Sequence, residues 1–225
     1  MIWTASKLSR NCAHHHTLSN LNPRPTRDAA AHKGKAFDIA LVDWFHEGRI
    51  MPTSYAEVDA WLQTMVDNGW QWPDRCHVQV PWGLDKWGCY SPVEEKPEDS
   101  HIYVPINGVD DLLTAGRADA CWIADDVLVV VDWKTGRTLV PRARINLQVN
   151  AAGIALAQRF KARAYQPGIY YAREGRWDMG DEVEDWRGAF GVLEEIEIAA
   201  GLDDKPHPGP HCSDCWERKN CTVAA

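Results

Sequence analysis

The chain has no apolar run of the roughly 18–20 residues that a membrane-spanning helix needs. Its amino terminus also lacks the long apolar core of a secretory leader. Those two absences predict a cytoplasmic protein, of cellular or phage origin, with no membrane partner. There is no low-complexity tract and no internal repeat, and the composition is that of a globular chain, 45% hydrophobic and 25% charged. Positive charge is not in excess either. The formal net charge is −8, which counts against a protein that simply coats nucleic acid, because phosphate affinity needs clustered Lys and Arg. Nor do the cysteines come in an even number. Seven of them argue against a complete disulfide framework, so in a reducing compartment metal binding becomes the question to ask of them.

What is present is unevenly arranged. Residues 134–163 carry Lys134, Arg137, Arg142, Arg144, Arg159, Lys161 and Arg163 with no acid among them. Residues 174–204 carry eleven acids against Arg176 and Arg187. A polyanion is therefore drawn to one side and kept off the other, unless these are simply two solvated surfaces of opposite sign. Twelve tryptophans are many for 225 residues, and Trp70, Trp72, Trp82, Trp87, Trp177, Trp186 and Trp216 lie in polar stretches. Most such rings pack in a core or its rim, while exposed ones can stack on bases.

Hydrophobic spacing predicts a short helix at 3–11, a loop at 17–30 and helices at 31–47 and 54–68. Ser54 and Glu57 form a capping-box pattern at the start of the last of these. Strands are predicted at 76–81, 101–105, 119–124 and 127–133, with 83–100 as an exposed insertion. A helix at 142–162, a strand at 168–173 and a helix at 185–200 follow, and the tail from Gly201 is irregular. This order predicts an α/β domain with a central mixed sheet flanked by helices. Its parts are an N-terminal segment 1–30, a core 31–200 with a helical and insertion part at about 48–100, and a cysteine-rich segment 201–225.

The segment "DVLVVVDWKTGR", residues 126–137, carries the chemistry. Its β-branched run suits a central strand covered on both faces. Side chains alternate along a strand, so Asp132 and Lys134 leave from one face and Trp133 from the other. Two charges on one face of a buried strand end cost solvation unless a metal, counter-ion or substrate compensates. Upstream, "AGRADACWIADD" places Asp119 at the start of an apolar strand, with a short turn at Ala124-Asp125-Asp126. If the two strands pair antiparallel, Asp119 comes close to Asp132. Paired carboxylates make a hard-oxygen site suited to Mg²⁺ or Mn²⁺, and Lys134 can stabilise charge developing on a phosphate.

"GRAD" followed by "VVVDWKTG" resembles two motifs of the PD-(D/E)XK nuclease superfamily, in its RecB-like branch. That branch reads G-x-x-D, then D-[YW]-K-T-G, then a helix with Q-x-x-x-Y. Gln148 falls on the glutamine, while Ala152 stands at the tyrosine. "GKAFD", residues 34–38, resembles the branch's early helix motif, with Asp38 where the histidine would be; His46 lies about two helical turns further on. The resemblance implies a restriction-endonuclease-like core in which Asp119, Asp132, the Trp133 carbonyl and Asp38 hold the metal. Lys134 would then steady the attacking water, and Gln148 would orient the site or touch DNA. Arg117, Arg137, Arg142 and Arg144 are the expected DNA-binding residues.

The tail "HPGPHCSDCWERKNC" places Cys212, Cys215 and Cys221 in a C-x₂-C-x₅-C pattern. His207 or His211 could complete a structural Zn²⁺ site, or Cys12 could fold back to make a four-cysteine site. An early cysteine before the core and this trio after it resemble the iron–sulphur nucleases of the AddB type and the CRISPR-adaptation exonucleases. That resemblance implies a 4Fe–4S cluster on Cys12, Cys212, Cys215 and Cys221 joining the chain ends, with Cys76, Cys89 and Cys121 as ordinary thiols. The expected activity is a metal-dependent exonuclease on single-stranded DNA or duplex ends, in recombination, phage replication or CRISPR adaptation. A partner protein from one of those processes is implied. A catalytically degenerate DNA-binding or assembly module of the same fold is the alternative, and a zinc-stabilised scaffold is a third reading.

Overall fold

The computed structural model describes residues 3–4, 28–96, 103–106, 111–136 and 140–184, with 191, 194 and 221. The strand 127–134 forms the centre of the sheet. It is preceded by β1 (Trp3–Thr4), α1 (Asp28–Glu47), α2 (Ala56–Asp67), β2 (His77–Asp85), β3 (Val93–Glu95), β4 (Tyr103–Pro105) and β5 (Leu112–Ala124), and so is β6 (Val127–Lys134). After it come α3 (Leu147–Phe160), β7 (Ala164–Tyr171) and β8 (Arg176–Met179). The main sheet runs β2-β5-β6-β7-β8, and β1 pairs in parallel with β5 at Thr114 and Ala115. Since β2 occupies one edge of β5 along its length, β1 and β6 share the other edge, β6 pairing from Ala120 onward. Residues 116–119 are left between them.

Every residue of β6 except Lys134 is buried, which is why its sequence is continuously apolar rather than alternating. It pairs antiparallel with β5 through a two-residue turn at Asp125 and Asp126, both with positive φ (50° and 62°). Such turns match the twist of the flanking strands, and aspartate tolerates that backbone. On its other side β6 pairs in parallel with β7. A parallel neighbour requires a crossover, and α3 supplies it.

One face of the sheet packs on α3 through Leu128, Val130, Leu147, Ile154 and Leu156. The other packs on α1 and α2 through Phe37, Leu41, Leu62, Val129, Val131 and Trp133. Helix α3 is rich in alanine because it lies close against the strands. At Gly153 an added Cβ would overlap the Tyr165 ring, and Tyr165 is itself tethered by its hydroxyl to Asn150 Oδ1 at 3.1 Å. Gly153→Ala is therefore expected to lose about 1–3 kcal/mol, the usual cost of overpacking. Urea unfolding would measure it, and an unchanged midpoint would show that α3 can lift off the sheet.

The expected core of a mixed sheet flanked by helices is present, with differences in detail. Strand β5 begins at Leu112 rather than Asp119, so Asp119 lies within it. The helix predicted at 142–162 is a 3₁₀ turn, Ala143–Ile145, and then α3, which Asn146 caps by accepting from Val149 N at 3.2 Å. Strand β7 starts at 164. Residues 3 and 4 are extended, not helical, and α1 starts at 28, inside the predicted loop. Ser54 does not cap α2; Tyr55 stands at its N-cap without a side-chain hydrogen bond. Residues 83–100 are only in part an exposed insertion: Gly83, Leu84 and Asp85 complete β2 and Val93 is buried against Tyr103 and Leu112 in a small third cluster, while Lys86, Trp87 and Cys89 between them are exposed. The predicted helix at 185–200 lies almost wholly outside the described residues. No helix among those described is long and apolar enough to cross a membrane.

Candidate active site

The last residues of β6 run past the end of its pairing with β5. Ala120 faces Val131, so Asp119 stands opposite Asp132 by continuation of the register. The Trp133 N–H, pointing toward β5, donates to Asp119 Oδ2 at 2.7 Å. A residue's N–H and C=O leave a strand on the same side, so the Trp133 carbonyl also faces the gap beside Asp119. Asp132 and Lys134 point to the α3 face. There, in the first turn of α3, Gln148 Nε2 donates to Asp132 Oδ1 at 2.6 Å, and Lys134 Nζ donates to Gln148 Oε1 at 3.0 Å. The ring closes through the Lys134 ammonium, 2.7 Å from Asp132 Oδ2. That oxygen is buried and makes only the ion-pair contact, without a hydrogen bond of good geometry. Asp132 itself is 8% exposed.

Asp38, on α1, and Asp119 are half-buried and feel the same field. Burial, then the charge of Asp132, pushes the Asp38 carboxyl up to about 7, against the opposing pull of Arg117 and Lys134. Asp119 is raised well above the ordinary carboxylate range by burial and by the charges of Asp132 and Asp38, despite the Trp133 N–H and Lys134. Burial alone would lower the Lys134 pKa, but Asp132, Asp119 and Asp38 together raise it. The ammonium is therefore a fixed positive charge inside a group of mutually repelling acids.

Clustered carboxylates that raise one another's pKa form a negative potential that a divalent cation neutralises. No three His, Cys, Asp or Glu side chains among the described residues converge tightly enough to hold an ion by themselves. The donor set instead fits Mg²⁺ or Mn²⁺ held by one or two carboxylates, with water and substrate phosphate completing the shell. Asp119, Asp132 and the Trp133 carbonyl could supply it, with Asp38 close enough to act through charge. His46 lies elsewhere, lining a cavity with Cys76, His77 and Arg159.

The structure thus brings Asp38, Asp119, Asp132, Lys134 and Gln148 together. Arg117 is half-buried, its Nη1 3.1 Å from Glu95 Oε2 on the β3–β4 hairpin, and its charge reaches Asp38. Glu95 is the residue that sequence reasoning missed. The buried Tyr103 beside it is pushed up to about 12 by burial and the charges of Glu95 and Asp119. The strand of Glu95, "VEE", has a single apolar residue and carries no alternation that could be read from sequence. Arg142 and Arg144 are exposed just before α3, while Arg137 lies outside the described residues. So do Cys12, Cys212 and Cys215, together with His207 and His211. Cys221 is half-buried and, like Cys76, Cys89 and Cys121, in no disulfide. Burial pushes the Cys76 thiol up to about 11 and Cys121 to about 12, so both stay protonated.

A model of the PD-(D/E)XK nuclease superfamily matches residues 3–222. The chain belongs to the PD-(D/E)XK nuclease superfamily. Its members are generally nucleases, and the α/β sheet described above is consistent with their restriction-endonuclease-like fold. No curated protein matches the chain. Among solved structures, that of SSO0001 aligns over 99% of this chain and 86% of its own at 15% identity and a TM-score of 0.42, a likeness on which nothing below rests.

Proposed function

We propose that this PD-(D/E)XK protein is a Mg²⁺- or Mn²⁺-dependent deoxyribonuclease acting as an exonuclease on single-stranded DNA or duplex ends. The observation that carries the reading is the closed ring of Asp132, Lys134 and Gln148 set across from Asp119. An assembly of this kind serves no packing purpose, and burying its charges is costly without a ligand. The metal, when bound, supplies the charge that polarises the phosphate and acidifies water. Asp119, Asp132 and the Trp133 carbonyl are its ligands, and Asp38 adds negative charge to the same pole. Lys134 donates to the attacking water or to a phosphoryl oxygen as charge builds there. Gln148 holds Asp132 and Lys134 in register from the first turn of α3. The attacking water gives a proton to solvent as it forms the new P–O bond, the bond to the leaving sugar oxygen breaks, and that oxygen takes a proton from solvent. Degradation of end-labelled DNA with and without metal tests this directly.

Arg142 and Arg144, exposed at the entry to α3, line the DNA path in this reading. Replacing both with alanine should weaken DNA binding and reduce the slope of log affinity against log salt by about 1.5 to 2. Fluorescence anisotropy over a salt series would measure it, and an unchanged slope would move the path elsewhere.

The C-x₂-C-x₅-C spacing and Cys12 support a 4Fe–4S cluster that staples the chain ends, with structural Zn²⁺ as the other filling. Protein purified without oxygen is expected to be brown, with about four iron and four sulphide per chain; a colourless preparation with one zinc would establish the alternative. The same cysteine pattern suggests a role in recombination, phage replication or CRISPR adaptation beside a partner protein. A second reading, a DNA-binding module without catalysis, draws on one observation. Both Asp132 oxygens are already engaged, so an ion must displace Lys134 or share its oxygen.

A further inference from the structure

On the sheet face opposite the carboxylates, a cavity of about 340 Å³ opens between the end of α2 and strands β7 and β8. Its wall is aromatic. Trp70 and Trp177 stack with ring centres 5.0 Å apart, and Tyr170 leans on Trp177 at 4.8 Å. Two carboxamides, Asn68 and Gln71, stand beside the indoles, and among the described residues no charged side chain lines the cavity. Asn68 gives one Nδ2 proton to Gly175 O at 2.9 Å, which leaves its Oδ1 without a hydrogen bond among the described residues. Gln71 is exposed and makes no hydrogen bond among them. Between the two amides, Gly69 is left-handed (φ +79°), with nothing within 4 Å of the place a Cβ would take. The mouth is therefore open where a larger residue would narrow it.

We propose that this cavity is a nucleobase-binding site, separate from the carboxylate site and independent of the nuclease reading. Its volume lies in the range of small-ligand pockets, about 300–1,000 Å³. An indole wall favours a flat ring, since every base has a π-face to stack. The absence of charge disfavours a phosphate or a charged side chain, which would lose hydration without a counter-ion. A neutral heterocycle with donors and acceptors on its edge has no such cost, and each carboxamide offers both kinds of partner to that edge. The base can come from a DNA strand or from a free nucleoside. The Trp133 ring forms part of the same aromatic group, 5.9 Å from Trp70 and 5.8 Å from Trp177.

Equilibrium dialysis of the full chain against adenosine in EDTA, where no cleavage occurs, tests the site. Fluorescence anisotropy of a labelled adenine hexadeoxynucleotide tests the strand-borne base in the same buffer. The expected result is saturable binding of at least one probe. It should weaken about tenfold in Trp177→Leu, as the loss of a stacked base partner implies, and several-fold in Gln71→Ala. Gln71 is exposed, so its variant retains the fold even if Trp177→Leu does not, and thermal unfolding checks both. Adenosine binding would identify a free-nucleoside site, and binding of the oligonucleotide alone a site for a base within a strand. The proposal is overturned if neither probe binds saturably, if Gln71→Ala binds both as tightly as the parent, or if inorganic phosphate displaces the adenosine.

Discussion

The Asp132→Asn protein is expected to fold normally and to lose roughly 10²- to 10³-fold of its metal-dependent DNA cleavage, the scale on which a single preorganised charge or donor acts in a transition state. Asparagine keeps the shape of the side chain, and its Oδ1 can still accept from Gln148, whose Nε2 stands 2.6 Å from the Asp132 oxygen. What disappears is one carboxylate from a group of three acids, and with it one of the proposed metal ligands. Lys134 keeps Gln148 Oε1 at 3.0 Å and the nearby charges of Asp119 and Asp38. Without metal, the variant should therefore be as stable as the parent or more so, because Asp132 raises the pKa of both other acids. Thermal unfolding and single-turnover cleavage on the same preparation separate the two effects. A variant that unfolds early would make Asp132 a structural anchor, and one that cleaves normally would remove it from the chemistry.

The second large effect links metal, pH and stability. Asp38 and Asp119 hold protons in the folded chain at pH values where an unfolded carboxyl, with its value near 3.8, has lost them. The native state then binds more protons than the unfolded one, so stability falls as pH rises from near 3.8 through the folded value, about 7 for Asp38. Lys134, raised from 10.5, contributes stability that is fully present below that pH and unchanged across the same window. In EDTA, acidifying from pH 8 to 5.5 should raise Tm by at least about 3 °C, since each 1 kcal/mol moves the Tm of a chain this size by roughly 2–4 °C. Saturating Mn²⁺ should reverse the trend, stabilising more at pH 8 than at 5.5, because the ion needs deprotonated carboxylates. Scanning fluorimetry over pH with and without Mn²⁺ reads both. A Tm that ignores the metal, or that falls on acidification in EDTA, would mean the acids do not repel one another as the geometry implies.

The central strand and its charged end were legible because their causes are local. An unbroken β-branched run suits a strand buried on both faces, and alternation then places Asp132 and Lys134 together. The Asp125-Asp126 turn brings Asp119 opposite Asp132, whereas Gln148 was signalled only by its resemblance to the glutamine of the RecB-like helix motif. The first half of β5 was not legible. "LLTAGRA" has no clear alternation, because what holds it is distant in sequence: β1 and β2 pair along its two edges, and Leu112, Ala115 and Ala118 are buried by residues far along the chain. The tie between Arg117 and Glu95 was hidden for a similar reason, since its partners lie 22 residues apart on strands of which one is only three residues long. The tryptophans show the same limit, for composition announces them, while only the tertiary fold gathers Trp70, Trp72, Trp133 and Trp177 on one face.

The central claim is that the carboxylate group cuts DNA when a divalent ion is bound. Single- and double-stranded DNA, labelled at the 5′ or the 3′ end, should be incubated with the folded chain and Mn²⁺ or Mg²⁺, with EDTA and Asp132→Asn as controls. The account predicts stepwise loss of label that needs the metal and Asp132, with the product ladder giving the direction of travel. Intact DNA after incubation with a folded preparation that demonstrably binds Mn²⁺ would contradict it and leave the chain a binding module.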